Sequence, residues 1–299
     1  MPLNQFLRST TMLSSVVGAT FIAVMTAQAA DVPVKAPYSA PPALPAVDGV
    51  NYRASLFGGS LWKRSLGGAD GTVAIPLAPN YGFQADVMGS AWGGRFYGEL
   101  HGHWFWRDPA IGMLGVYAAY THLSRFGGVH ASYLAAEFAR YYGPWELKGA
   151  VGVETGNSAS GLTSPTTLTS YDIDTRFFDR LDLSYYVQEN IKLGIGHRYL
   201  SGKHALALRG EWAAPLGAGR MGSLFVEGRA GEDNHKSIWA GVRIYLGKSD
   251  KSLIRRHRED ILSDTVIGFD RKTQPQQGCP PGEVFDPEFG CVFPDFGPF

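Results

Sequence analysis

The tripeptide His122-Leu123-Ser124 combines side chains that could carry out nucleophilic catalysis. In a β-strand the two-residue spacing places His122 and Ser124 on one face, where the imidazole can act as the base that activates the hydroxyl. The sequence does not fix an acid that would orient the histidine. Glu137 is the nominal candidate, although its strand position predicts that it points inward. The same face as the pair continues through the apolar series Leu114, Val116, Ala118 and Tyr120.

A second group of candidate side chains is His101-Gly102-His103, with Glu99 on the same strand face. A metal site is conceivable there, because histidine and carboxylate are common metal ligands. No third strong ligand is identified, so we expect a hydrogen-bonded interior cluster, with no metal and no cofactor. The glycine pair Gly127-Gly128 lacks the strand–turn–helix context that nucleotide binding requires.

The two cysteines, Cys279 and Cys291, lie close together near the end of the chain. In an exported protein this spacing favours one disulfide that closes a small loop. Two cysteines without neighbouring histidines supply too few ligands for a zinc site.

The composition narrows the class of protein. The chain has 299 residues, 27 basic against 27 acidic side chains, 38 glycines, 13% aromatic and 18% charged residues. Balanced charge gives no electrostatic support for nucleic-acid binding. The apolar fraction of 44% excludes a largely disordered chain.

The first fifty residues read as an export signal followed by a spacer. Residues 1–29 hold one charge, Arg8, then an apolar run and the cleavage-type sequence Ala27-Gln28-Ala29, which together are typical of a secretory signal peptide. Residues 30–50 contain five prolines and are predicted to form an extended spacer.

Between residues 51 and 247 the sequence alternates between apolar and polar side chains with period two, as in Ile238–Leu246. Such runs, separated by short turns, predict antiparallel strands. Parity requires an even number of strands in a bacterial single-chain barrel, so a short extra strand at 72–77 makes twelve. Omitting 51–62 would make ten. The other predicted strands are 51–62, 80–90, 94–106, 111–122, 129–141, 145–155, 175–187, 191–200, 203–213, 222–231 and 236–246.

Two all-β architectures fit this pattern, a soluble sandwich and a membrane barrel. Aromatic residues near strand ends favour interfacial girdles, and only a closed sheet satisfies all backbone groups in hydrocarbon. We therefore predict an antiparallel up-and-down transmembrane β-barrel over 51–247, followed by a charged, cysteine-containing periplasmic tail over 248–299. In that tail one side of a short helix is predicted from Leu253, Ile254, His257 and Ile261. The predicted girdle includes Trp92, Trp104, Trp106, Trp145, Trp212 and Trp239.

The inward-facing positions carry both signs of charge in equal number. Paired charges are expected, because an unpaired buried ion costs several kcal/mol, and a barrel of this size can be filled by side chains. This favours a filled interior over an open channel, with leakage of small solutes left open. The predicted interior cations are Arg95, Lys148, Arg180, Lys192, Arg198, Arg209, Arg229 and Arg243, and the anions are Asp86, Glu99, Glu137, Glu146, Glu154, Asp182, Glu211 and Glu227.

Two segments carry a family resemblance: Ala30-Asp31-Val32-Pro33-Val34-Lys35-Ala36-Pro37 and the closing strand Trp239–Gly247. They resemble alphaproteobacterial outer-membrane β-barrel proteins of the porin-like kind. The resemblance implies the outer membrane of a Gram-negative bacterium, contact with its lipids, and insertion by the barrel-assembly machinery. The insertion signal usually ends the chain, whereas residues 248–299 follow it here. Peptidoglycan and envelope proteins are candidate partners of this tail.

The sequence therefore supports two alternative functions. The first is a structural or weakly pore-forming outer-membrane barrel that is not an enzyme. The alternative is a lipid-modifying hydrolase, because the His122–Ser124 pair is similar to the His-x-Ser pair of outer-membrane lipases and lipid A deacylases. Those families have Asn after the serine, where this chain has Arg125.

Overall fold

The computed structural model describes residues 44–164, 167–171, 173–200, 202–232, 235–263, 274–275, 282–286 and 290–293. The predicted signal peptide, most of the proline-rich spacer and Cys279 lie outside the described residues.

Twelve strands form one closed antiparallel barrel, which confirms the predicted fold class and strand number. A hairpin, β8 (Ala159–Ser164) and β9 (Thr167–Tyr171), interrupts the order between the seventh and eighth wall strands. The twelve wall strands are β1 (Asn51–Leu61), β2 (Arg64–Ala78), β3 (Tyr81–Trp92), β4 (Arg95–Asp108), β5 (Gly112–Leu123), β6 (Val129–Tyr142), β7 (Trp145–Gly156), β10 (Arg176–Gln188), β11 (Ile191–Leu200), β12 (Lys203–Gly217), β13 (Arg220–Gly231) and β14 (His235–Leu246).

Each wall strand pairs with its neighbour in sequence, and β1 pairs with β14 to close the sheet. Tyr52 lies opposite Leu246 in that closing pair. The described elements after the wall are α1 (Leu253–Glu259), β15 (Gln274–Pro275), β16 (Val284–Asp286) and β17 (Gly290–Val292). Among the residues described above, no helix is long and apolar enough to cross a membrane.

The second strand is longer than the sequence pattern indicated. It runs from Arg64 to Ala78, whereas alternation predicted only 72–77. The missed half contains Gly67, Gly68 and Gly71, which leave no apolar series to recognise. Backbone pairing with β1 and β3 holds this half in the sheet all the same.

The two ends of the barrel differ in their loops. We call the end where β1 begins and β14 ends the proximal end, and the opposite end the distal end. The proximal turns are short, for example 79–80 and 143–144. The distal end carries the long connection 157–175, which contains the β8–β9 hairpin.

Apolar side chains cover the outside of the wall, and charged side chains fill its inside. Leu56, Leu114 and Ile238 are 64%, 63% and 58% exposed, whereas Asp86 and Arg198 are 1% and 2% exposed. This is the reverse of a soluble protein and the arrangement that a lipid-facing barrel requires. Three predicted girdle residues, Trp104, Trp145 and Trp212, are exposed on the outside, but Trp92 and Trp239 are buried.

Two apolar clusters close the lumen above and below its charged middle. The distal cluster includes Tyr117, Tyr133 and Phe178 from the wall and Tyr171 and Ile173 from the connection 157–175. The proximal cluster joins wall residues with residues after the last strand, and its members include Phe105, Met113, Tyr141, Leu253, Ile261 and Leu262. The charged groups between the two clusters are therefore shielded from water at both ends.

Candidate functional site

The middle of the lumen is held together by ion pairs between side chains of different strands. Nζ of Lys192 lies 2.7 Å from Oε1 of Glu146, and a guanidinium nitrogen of Arg243 lies 3.0 Å from Oε2 of Glu211. These contacts are short enough for charge-assisted hydrogen bonds. Pairing of this kind offsets the cost of burying these charges inside the wall.

A second ionic group is centred on Asp182. Its Oδ1 accepts a hydrogen bond of 2.9 Å from Arg209 and forms an ion pair with Arg198 at 2.9 Å. Glu227 accepts from Nε of Arg229 at 2.8 Å and lies 4.0 Å from the Arg198 guanidinium. The two carboxylates thus bind three arginines in one network.

The third ionic group is formed by His101 and His103 of β4 and their neighbouring carboxylates. Glu137 accepts from His103 at 3.0 Å, and the other ring nitrogen of His103 lies 3.4 Å from Asp86. His101 lies 2.9 Å from Glu99. Within the described residues, no group of three metal-ligating side chains could hold a metal ion.

Most of the predicted interior residues lie inside the barrel. Lys148 is buried, and Arg180 stacks over Tyr117 with its guanidinium carbon 4.6 Å from the ring centre. Glu154 is buried and lies 3.8 Å from Arg176. Arg95 differs, because it begins β4 at the distal end and is exposed.

Sequence reasoning missed two interior arginines. Arg53 is 2% exposed and lies 3.3 Å from Asp86; its alternation with the outward Tyr52 and Ala54 could have revealed it. Arg107 is completely buried near the proximal end of β4, and a run of aromatic residues hides its orientation in the sequence.

Residues 251–263, which the sequence assigned to a periplasmic tail, lie in the proximal mouth of the barrel. We call them the plug. Leu253 and His257 of α1 are at most 2% exposed and face the lumen as predicted. Ile254, from the same predicted side, is only partly buried, and the buried Ile261 lies two residues beyond the end of the helix. Nη2 of Arg107 donates to the carbonyl of Asp260 at 3.3 Å, and the backbone N–H of Leu262 donates to Oε1 of Gln84 at 2.7 Å.

His257 connects two strands across the mouth. Its Nδ1 lies 2.8 Å from the hydroxyl of Tyr186, and its Nε2 lies 3.1 Å from the hydroxyl of Tyr245. Tyr245 donates its own proton to Glu211 at 2.7 Å, so we assign Nε2–H of His257 as the donor to Tyr245 and Nδ1 as the acceptor from Tyr186. Burial, together with the positive charge of Lys192, lowers the pKa of His257 to about 3. The ring is therefore neutral at physiological pH.

The plug is also fastened by its own charges. Nζ of Lys251 lies 2.6 Å from Asp260 and 3.1 Å from Glu259. The same ammonium reaches Asp48, just before the first strand, at 3.0 Å. Hydrogen bonding to Lys251 lowers the pKa of Asp48. One lysine thus ties the segment before the wall to the segment after it.

Little free space remains in the lumen. A cavity of about 30 Å³ lies beside Lys192, Arg209 and Glu211, and another of about 20 Å³ lies beside Lys148 and Arg180. Each has room for one or two water molecules. Neither is large enough for a solute such as a sugar or an amino acid.

The His122–Ser124 pair lies on the outside of the barrel at the distal end. Nε2 of His122 is 3.3 Å from Oγ of Ser124, and Ser124 is exposed. Glu137, the nominal acid, is 2% exposed inside the lumen and bound to His103. Within the described residues, His122 has no carboxylate neighbour.

The end of the chain contacts the distal hairpin. Gln274 and Pro275 of β15 pair with Ser170 and Thr169 of β9. Cys291 lies on β17, and its predicted disulfide partner lies outside the described residues. The disulfide stays a prediction.

Comparison with known proteins finds barrels of low similarity. No family model and no curated protein matches the chain. An outer-membrane channel from Pseudomonas putida F1 is 12% identical, covering 71% of this chain and 98% of that one with a TM-score of 0.46. The translocator domain of the Neisseria meningitidis autotransporter NalP is 14% identical, with 67% and 88% covered and a TM-score of 0.43. A Salmonella typhi outer-membrane phospholipase with bound calcium is 15% identical, with 72% and 94% covered and a TM-score of 0.38. At these values the comparisons decide neither family nor activity.

Proposed function

We propose that the chain is an integral outer-membrane β-barrel of a Gram-negative bacterium with a structural role and a closed lumen. The filled interior carries this proposal: ion pairs occupy its middle, and the plug occupies its proximal mouth. The cavities beside these ion pairs, of about 30 and 20 Å³, are each too small for a solute such as a sugar. A conductance measurement distinguishes this closed lumen from one that conducts ions weakly.

The loop lengths support an orientation. Barrels of this membrane carry short periplasmic turns and longer external loops. The proximal end, with its short turns and the plug, is then periplasmic, and the distal end with the connection 157–175 is external. Barrel-assembly machinery is the proposed insertion partner. Because Gln274 and Pro275, which follow the plug, pair with the distal hairpin, no contact of that part of the chain with peptidoglycan is proposed.

Single-channel recording tests the closed lumen. Full-length protein is refolded into planar bilayers after a heat-shift gel has shown that the barrel is folded. We expect no stable conductance steps. A variant that ends at Gly247 keeps all twelve strands but lacks the plug, and because the ion pairs of the middle and the distal cluster remain, we expect it to stay closed as well. Steady conductance of the full-length protein would contradict the structural role and favour a pore.

Lipid hydrolysis is a second candidate, favoured by the 3.3 Å contact between His122 and Ser124 on the outer surface. Mass spectrometry of lipid A and phospholipids from cells with the wild-type protein or Ser124→Ala tests it. A hydrolase predicts products that disappear in the variant. Identical lipids in both strains would remove this candidate.

A further inference from the structure

We propose that the chain passes through the lumen after the plug and displays residues 274–299 on the cell surface. The proposal rests on the assignment of the distal end as external. It combines two described features: the end of the plug lies inside the proximal half of the barrel, whereas Gln274 and Pro275 pair with the distal hairpin. A segment that stayed in the periplasm could not reach that hairpin.

The plug enters the barrel, and its last residues lie towards the middle of the lumen. Its helix begins at the level of the proximal turns, because the backbone N–H of Ile254 donates to the carbonyl of Glu189 at 3.0 Å. Further along the chain, Oγ of Ser263 lies 2.8 Å from Nζ of Lys192, inside the wall. Ser263 also lines the cavity that reaches Glu227, seven positions from the proximal end of β13. The chain therefore runs inward as it leaves the plug.

The chain is next described at the opposite end of the barrel. Gln274 lies opposite Ser170 of β9, so that β15 extends the β8–β9 hairpin by one strand. The hairpin is anchored in the distal mouth by the adjacent Tyr171, which is 1% exposed within the distal cluster. The segment after the plug is thus found beside the mouth that lies farthest from the plug.

The length of chain between these two points fits a route through the lumen. Ser263 and Gln274 are eleven positions apart, which spans at most about 40 Å when fully extended. Gln84, the partner of Leu262, is eight positions from the distal end of β3, or about 20 Å of height at the usual strand tilt. A direct path through the lumen therefore needs only about half of the available length.

A route around the outside of the barrel is too long and passes through lipid. The chain would have to return to the proximal rim, cross it, climb the wall and enter the distal mouth again. The wall alone is about 35 Å high at β6, which has 14 residues. Backbone groups in hydrocarbon would lack partners, and the charges of Asp270, Arg271 and Lys272 would be costly there. The lumen, with its inward charges, is the polar route.

The charge of the displayed segment matches the place where it emerges. Residues 274–299 contain four acidic and no basic side chains. Arg125 of the distal rim donates to the hydroxyl of Tyr171 at 3.2 Å, one residue from the Ser170 that pairs with β15. The rim is therefore positive where an acidic segment leaves the lumen, and the attraction favours its distal location.

Antibody labelling of intact cells tests the surface location. The full chain is produced in a Gram-negative host with one epitope tag, placed after Phe299, within the distal connection 157–175 or in the proximal turn 143–144. We expect the first two tags to be labelled in intact cells. The tag in the proximal turn should be labelled only after the outer membrane has been permeabilised. A heat-shift gel verifies that each tagged barrel is folded.

A disulfide tests the pairing of β15 with β9 directly. In a background in which Cys279 and Cys291 are replaced by serine, Ser170→Cys/Gln274→Cys is expected to cross-link, because these two residues are register partners. The matched control is Asn80→Cys/Gln274→Cys, since Asn80 lies in the proximal turn 79–80. We expect this control to stay reduced.

A deletion tests the length of the connection. Without residues 265–272, Ser263 and Gln274 are three positions apart and at most about 11 Å from each other. Either the cross-link or the protection of the plug amides from hydrogen exchange should then be lost. Replacement of the same eight residues by glycine and serine keeps the length, and both should be retained.

Three results would overturn the proposal. The first is a tag after Phe299 that is labelled only in permeabilised cells while the tag in 157–175 is labelled in intact cells. The second is equal cross-linking of the distal pair and its control, and the third is a deletion that retains both the cross-link and the plug. Labelling of the proximal tag alone in intact cells would instead reverse the assigned orientation, and would overturn the surface location together with that part of the proposed function.

Discussion

The hydroxyl of Tyr186 lies 2.8 Å from Nδ1 of His257 and thereby attaches the plug to the barrel wall. Because Tyr245 contacts the other ring nitrogen at 3.1 Å, the histidine connects β10 with β14 across the proximal mouth. In this assignment the ring is neutral, since Nδ1 accepts a hydrogen bond from Tyr186 while Nε2 donates one to Tyr245.

Acidification is expected to loosen the plug. His257 has a pKa of about 3 when docked, whereas a released histidine titrates near 6.5. As the pH falls below about 6.5 the released form takes up the proton first, so docking loses about 3 kcal/mol by about pH 4.5. Hydrogen exchange of the amides in 251–263, corrected for the intrinsic pH dependence, measures this loss. In His257→Gln the pH dependence should be absent over the same range, and equal slopes in both proteins would contradict the assignment.

Arg107 is expected to hold the plug and the segment before β1 together. Its Nε donates to the carbonyl of Ala46 at 2.5 Å, and Nη2 donates to the carbonyl of Asp260 at 3.3 Å. Arg107→Met keeps the apolar stem and removes these donors, so the plug should lose about 3 kcal/mol of docking free energy. Hydrogen exchange of residues 251–263 reports the change. Arg140→Met, at the exposed proximal end of β6, serves as control and should leave the exchange unaltered.

The pair Lys192–Glu146 offers a test of charge pairing in the lumen. Its atoms lie 2.7 Å apart and both side chains are buried. Lys192→Met alone leaves a buried carboxylate without its strongest partner and should cost about 3–5 kcal/mol of unfolding free energy. The double variant with Glu146→Gln should cost clearly less. Urea unfolding in lipid bilayers gives both values, and strictly additive losses would show that the two charges are independent.

An alanine should reduce the stability of the barrel at Gly59 but not at the adjacent Gly58. At Gly59 a Cβ would lie 2.1 Å from the carbonyl oxygen of Ile238 and 2.6 Å from Cα of Trp239, so Gly59→Ala should disturb the closing pair β1–β14. At Gly58 the nearest atom would be 3.8 Å away, and Gly58→Ala should be neutral. The melting temperature of the heat-shifted band compares the two. Similar values for both variants would mean that the wall relaxes around Gly59.

The barrel could be predicted from the sequence because its strands alternate visibly. Ile238–Leu246 shows one aliphatic and one mixed face, and this strand appears as β14. The first half of β2 could not be recognised, since Gly67, Gly68 and Ala69 have no side chains large enough to show alternation. Only pairing with both neighbouring strands places this half in the wall.

The burial of the plug could not be predicted from its composition. Lys251, Arg256, Glu259 and Asp260 are typical of a solvated tail, yet all are buried. Their burial depends on partners far away in sequence, such as Gly219, whose carbonyl accepts from Arg256 at 2.9 Å. The apolar spacing of Leu253, His257 and Ile261 was the one local signal, and it indicated a helix without showing what the helix contacts.

The plug also fixes an order of assembly. Its partners are contributed by strands from every part of the wall, including Gln84 on β3, Arg107 on β4, Tyr186 on β10 and Tyr245 on β14. Contacts so distant in sequence form only after the intervening chain is in place. The wall is therefore expected to close while its lumen is still open to water, and the plug then expels that water from the proximal mouth.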